Sequence, residues 1–146
     1  MCPSFSMLRV QNGMSYPFRI LIADRNRHVR EFLRREFREA GYSVQVAKDG
    51  REVLMMLDVN EPPEVLILDL EIPLVDGLEI VERLFERVPP LPVVIHSFLA
   101  EHTNQPALKK AAALVEKKGD TNLLKRAVIE VLENYYPERF VVATGQ

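Results

Sequence analysis

The stretch Glu64 to Gly77, EVLILDLEIPLVDG, constrains the fold more than any other part of the chain. Val65-Leu66-Ile67-Leu68 has no polar alternation and is rich in branched residues, the pattern of a strand covered on both faces in a parallel sheet. The run ends in one acidic residue, Asp69, followed by a proline-containing loop. Asp69 therefore falls at the carboxyl end of a buried strand. In open α/β sheets that edge carries ligands and chemistry, because the loops leaving it converge on a crevice.

The chain around this strand alternates strand and helix. Phe18 to Ala23 is a first strand, ended by Asp24. From Arg27, the apolar positions Val29, Phe32, Leu33, Phe37 and Ala40 follow helical spacing up to Gly41. Tyr42 to Ala47 alternates Val44 and Val46 with Ser43 and Gln45, as expected of an edge strand with one wetter face. Asp49 is placed to cap a second helix carrying Val53, Leu54 and Leu57, which ends before Asn60, Pro62 and Pro63. After the central strand, Gly77 opens a third helix with Leu78, Val81, Leu84, Phe85 and Val88 on one face, and Pro89-Pro90 closes it.

Leu91 to Ile95 reads as a fourth strand, Phe98 to Lys110 as a fourth helix interrupted at Pro106, and Ala113-Leu114-Val115 as a short fifth strand. Asp120 caps a last helix carrying Leu123, Leu124, Ala127, Val128, Val131 and Leu132. Five strands with intervening helices imply an α/β fold, a parallel sheet wrapped on both faces, because each right-handed crossover lays its helix against a face. No repeat or linker divides the chain. Residues 18–134 are expected to form one domain, with a loose leader at 1–17 and a tail at 135–146.

Composition narrows the function classes. A chain of 146 residues is long enough to bury one core of ordinary size. Its formal net charge is −2 with both signs interspersed, which argues against a nucleic-acid or anionic-membrane partner. Arg34, Arg35, Arg38, Lys109, Lys110, Lys117, Lys118, Lys125 and Arg126 read mostly as solvated helix faces. Cys2 is the only cysteine, which excludes an internal disulfide and fits a reducing compartment. No apolar run approaches the roughly 20 residues of a membrane span, and Met1 to Ser15 lacks the pattern of a signal peptide. A cytoplasmic location is expected.

Four motifs taken together carry a specific resemblance: ILIAD at the first strand, ILDLEIPLVDG at the third, VVIHS at the fourth and ALVEK at the fifth. From Phe18 to about Leu132 the chain resembles the receiver domain of two-component response regulators. The resemblance implies a flavodoxin-like (βα)5 doubly wound sheet of strand order 2-1-3-4-5. It also implies function. Asp69 matches the aspartate that accepts a phosphoryl group from a histidine kinase or phosphotransfer protein, and Lys117 the lysine that offsets the charge of the transferring group, with Lys118 as a neighbouring substitute. Ser97 matches the hydroxyl residue that hydrogen-bonds the phosphoryl group. Glu71 occupies the position whose backbone carbonyl binds magnesium, and Pro73 and Gly77 match the loop shaping this corner.

Asp24 matches the first member of an acidic pair whose second member, in the family, binds magnesium directly. Here that second member is Arg25, which cannot ligate a cation and adds positive charge. Two readings follow. In one, the guanidinium replaces the metal's charge, pairing with Asp69 or an incoming phosphoryl group. In the other, Arg25 faces solvent while Asp24 and Glu71 hold a weakened magnesium site. Phe98, where a small residue is usual, and Leu114, where an aromatic ring is usual, depart from the pattern in the same direction.

Each residue has a plainer reading. Asp24 could serve only as a helix cap. His28, His96 and His102 lack tight ligand spacing for zinc. Asp69 and Glu71 resemble the Asp-x-Asp of haloacid-dehalogenase phosphatases, but that motif lies on the first strand of its fold and carries a second aspartate as general acid. Turnover of other substrates is therefore not expected. With only a dozen residues after the last helix, a helix-turn-helix output module is not expected either. Output through protein contacts is expected instead, with an unknown output protein or a homodimer, across the fourth helix, fifth strand and fifth helix. The rival to a working receiver is a phosphate-independent interaction module on the same fold.

Overall fold

The computed structural model describes residues 8–11, 14–102 and 104–140. A small hairpin of β1 (Leu8–Gln11) and β2 (Met14–Pro17) precedes the main domain. The domain then runs β3 (Arg19–Ala23), α1 (Arg27–Glu39), β4 (Ser43–Ala47), α2 (Gly50–Met55), β5 (Val65–Leu68), α3 (Gly77–Glu86), β6 (Val93–Ser97), β7 (Ala113–Glu116) and α4 (Asn122–Tyr135). The five strands form one parallel sheet of order β4-β3-β5-β6-β7. Counted within the sheet, that is 2-1-3-4-5, the doubly wound flavodoxin-like order.

Side-chain alternation splits the core into two layers. Ile20, Ile22, Val65, Ile67, Val94 and Val115 face Leu33 and Phe37 of α1 and Leu124, Val128 and Leu132 of α4. Leu21, Ala23, Leu66, Leu68, Val93 and Ile95 face Val53 of α2 and Ile80, Val81 and Leu84 of α3. All four residues of β5 are buried, as the unbroken apolar run requires. β4 lies at an edge with Ser43 and Gln45 exposed.

Several expectations are corrected. Phe98 to Lys110 forms no α-helix but two 3-10 turns, Leu99–His102 and Pro106–Lys110. Pro106 cannot donate to a continuing helix, and the first turn has no buried residue to hold it on the sheet. On α3 the buried face is Ile80, Val81 and Leu84; Phe85 is half exposed and Val88 is 92% exposed, beyond the helix end at Glu86.

The two segments expected outside the domain are partly ordered against it. In the hairpin Gln11 faces Met14; residues 1–7, 12 and 13 of the expected leader lie outside the described residues. Beyond α4, Pro137–Phe140 forms a further turn. Phe140 stacks on Phe18 with ring centroids 5.4 Å apart, and the buried Arg139 guanidinium sits 3.8 Å from the Phe18 ring centre and pairs with Glu64. The Tyr136 hydroxyl donates to the Glu64 carbonyl at 2.7 Å. Residues 141–146 lie outside the described residues.

Candidate functional site

The sheet ladder runs on past the strand ends and so fixes the site residues. The Asp69 N–H donates to Ala23 O at 2.9 Å, Asp24 N–H to Ala47 O at 3.2 Å, and Lys117 N–H to Ser97 O at 2.9 Å. These bonds draw Asp24, Asp69, Ser97 and Lys117 together at the carboxyl edge of the sheet. Gly77 lets the loop after β5 fold tightly, since a Cβ there would stand 2.5 Å from Leu70 O. Pro73 O takes the Gly50 N–H at 2.9 Å, which ties that loop to the start of α2.

Asp69 and Asp24 are each only 2% exposed. Burying two carboxylates is costly unless each is paired and hydrogen-bonded. Lys117 Nζ supplies the pairing, 2.8 Å from Asp24 Oδ2 and 3.5 Å from Asp69 Oδ2. Asp69 Oδ1 accepts from the Glu71 N–H at 3.1 Å and the Ser97 hydroxyl at 3.4 Å. Burial raises the Asp24 carboxyl above its ordinary value, opposed by its hydrogen bonds from Lys117 and the Asn26 N–H. Asp24 does not cap α1: that cap is Asn26, whose side chain accepts from the His28 and Val29 N–H groups.

Arg25 turns inward on this edge. Its Nε lies 3.8 Å and its backbone N 3.5 Å from Asp69 Oδ2, and its Nη1 lies 3.0 Å from Glu71 Oε1. Of the two readings of Arg25, the geometry matches the one in which the guanidinium stands among the acids as a cation. The side chain of Glu71, not only its backbone, thereby enters the site.

Sequence reasoning weighed His102 only as a zinc ligand and did not single out Glu101; both are neighbours of Glu71. His102 Nε2 lies 3.5 Å from Glu71 Oε2, and Glu71, Glu101 and His102 each bring one ligand atom within 4.8 Å of the others. The contact between the two glutamates lowers the Glu71 carboxyl below its ordinary value and raises that of Glu101. Arg30 was also missed; it reaches the loop carbonyls Asp24 O and Arg25 O. No sequence signal separates it from the other arginines of α1.

The remaining departures face outward. Phe98 is half exposed, with Lys117 Nζ 5.8 Å from its ring centre. Leu114 is exposed on β7. His28 is exposed, and His96 lies buried within β6. No helix among the described residues is long and apolar enough to cross a membrane.

Comparison with known proteins identifies the family. The response regulator MprA of Mycolicibacterium vanbaalenii is 42% identical over 79 residues, covering 54% of this chain and 34% of that protein. The chain thus spans about a third of the length of the curated relatives it matches. Among solved structures, the response regulator TrrA of Thermotoga maritima, crystallised with Mg(2+)-BeF, superposes with a TM-score of 0.72 at 27% identity, covering 79% of this chain and 99% of that one. TrrA in complex with the histidine kinase ThkA gives a TM-score of 0.71 at 26% identity, covering 79% and 98%. The family description that matches residues 20–129 is the response regulator receiver domain. With that match across most of the chain and the receiver fold beneath it, this protein belongs to the response regulator receiver family.

Proposed function

We propose that Asp69 accepts a phosphoryl group from the phosphohistidine of a histidine kinase or phosphotransfer protein, and that the resulting aspartyl phosphate is read out by protein contacts. The observation that carries this reading is the convergence on the buried Asp69 carboxylate of Lys117 Nζ, the Ser97 hydroxyl and two donors of Arg25. A carboxylate oxygen attacks phosphorus, an acyl phosphate O–P bond forms, the P–N bond to the donor imidazole breaks, and the imidazole leaves with a proton. Little covalent assistance is needed. Such transfers depend on positioning and on cations facing the equatorial oxygens.

Lys117 and Arg25 supply those cations, and Ser97 a hydroxyl donor. The similar receiver TrrA has been seen bound to the histidine kinase ThkA, which supports a donor of that class. The catalysis we assign is confined to phosphoryl transfer onto Asp69 and its slow loss, and the location we propose with such a donor is the cytoplasm.

Magnesium is the cofactor that the family implies, and TrrA was crystallised with Mg(2+)-BeF. The donors here fit it poorly. At this edge, among the described residues, Asp24 and Asp69 offer buried carboxylates and Glu71 a part-exposed one; Lys117 lies against both aspartates, and Arg25 stands where a further acid would bind the ion. Arg25 and Lys117 already engage all three carboxylates of this edge, Asp24, Asp69 and Glu71, which leaves few free oxygen ligands for a divalent ion. We therefore derive no step through magnesium.

The same observation supports a second reading, a phosphate-independent interaction module, because Arg25 already pairs with the acids that a metal and a phosphate would engage. Borohydride trapping separates the two. Reduction of an aspartyl phosphate leaves homoserine at position 69, readable by peptide mass spectrometry; an unmodified Asp69 after exposure to phosphodonor favours the interaction module.

A further inference from the structure

The peptide between Asp24 and Arg25 is held on one side and aimed on the other. Its carbonyl, Asp24 O, accepts from Arg30 Nη1 at 2.8 Å. Its N–H, on Arg25, is directed at Asp69 Oδ2 with N···O 3.5 Å. In a trans peptide the C=O and N–H point in opposite directions, so fixing one fixes the other. The next carbonyl, Arg25 O, lies 3.3 Å from the same Arg30 Nη1. Arg30 acts from a rigid base, since α1 is capped by Asn26 and anchored in the core through Leu33 and Phe37.

We propose that Arg30 is a positioning residue: by holding the carbonyls of Asp24 and Arg25, it aims the Arg25 amide at the phosphoacceptor carboxylate. This rests on the reading of Asp69 as the phosphoacceptor. The aimed N–H is a backbone donor at the phosphoacceptor carboxylate, and it holds that carboxylate in the orientation from which it attacks. The device suits a site where Arg25 has replaced an acid, because the donor belongs to the main chain and is independent of the side chain at that position. Arg30 itself touches neither Asp69 nor an incoming phosphoryl group.

The test compares wild type, Arg30→Met and Arg30→Lys, reading the Arg25 amide proton shift in the unphosphorylated protein and the labelling rate across acetyl phosphate concentrations. In Arg30→Met the Arg25 amide proton moves upfield and the maximal labelling rate falls about tenfold, less than the loss typical of a deleted oxyanion donor because the amide is misaimed, not removed. The half-saturating donor concentration and thermal midpoint stay near wild type, and Arg30→Lys, with one donor restored, recovers part of both signals. An Arg25 amide that does not move in Arg30→Met overturns the clamp. A moved amide with a wild-type labelling rate overturns its part in phosphoryl transfer. Wild-type protein that takes no phosphoryl group overturns the phosphoacceptor reading, and with it the purpose of the clamp, whatever the amide does.

Discussion

The guanidinium of Arg25 is anchored on Glu71, with Nη1 3.0 Å from Oε1. This ion pair holds a permanent cation beside Asp69, on the side where the family pattern has an acid and its metal. Arg25 is half exposed, so the pair itself adds little stability. Its consequence is for ion dependence and for the charge that an incoming phosphoryl group meets.

Labelling of the wild type by acetyl phosphate is expected to change only a few-fold between excess EDTA and millimolar magnesium. Arg25→Asp puts a carboxylate at that position and frees Glu71, and its labelling is expected to depend on magnesium by about a hundredfold, the scale of a lost electrostatic donor. Equal magnesium dependence in the two proteins would show that Arg25 does not replace the ion's charge.

Lys117 is the sole lysine lying between Asp24 and Asp69 among the described residues. Lys117→Met leaves two buried carboxylates facing each other, so labelling should fall by about a hundredfold or more. The Asp24 carboxyl, already raised by burial, should rise further on losing its partner. Carboxyl carbon shifts followed against pH would detect that rise; an unchanged Asp24 titration would contradict the pairing.

His96 gives a pH signature. It is buried in β6 with Nδ1 unpartnered, and burial followed by repulsion from Lys117 lowers it from 6.5 to about 4. The unfolded chain therefore binds a proton more readily than the folded one. The neutral ring's contribution is complete above pH 6.5 and is lost as pH falls toward 4, about 2 kcal/mol of it by pH 5. Urea unfolding at pH 7 and pH 5 checks this: His96→Val should shrink the difference between the two pH values by about that amount, and an undiminished difference would assign it elsewhere.

A methyl group at Gly77 meets backbone, with Leu70 O at 2.5 Å and Leu70 Cα at 2.8 Å, whereas one at Gly119 meets nothing within 4 Å. Gly77→Ala should cost about 2–3 kcal/mol by overpacking and displace the loop that carries Glu71. Gly119→Ala should be close to neutral. Thermal unfolding of the pair decides it.

Much of this was legible in the chain because burial writes itself into pattern. The apolar run Val65 to Leu68 located the central strand, strand ends located Asp24 and Asp69, and the resemblance to receiver domains singled out Ser97 and Lys117. What escaped was decided by contacts between distant segments. Phe98 to Lys110 has the length of a helix, but its apolar residues are too sparse to hold one on the sheet. Phe85 and Val88 keep helical spacing yet lie at and past the end of α3. Tyr136, Arg139 and Phe140 are anchored by Phe18 and Glu64, partners more than 70 residues away. The sequence left the direction of the Arg25 side chain open, because it depends on the Glu71 carboxylate across the loop.

Signalling through phosphate requires that Asp69 still take a phosphoryl group beside Arg25. The most direct measurement is the intact mass of the purified protein after incubation with acetyl phosphate, with and without magnesium, beside Asp69→Asn. One phosphoryl adduct in the wild type under both conditions and none in Asp69→Asn is the result predicted here. No adduct under conditions that label an ordinary receiver, or an adduct that persists in Asp69→Asn, would contradict it.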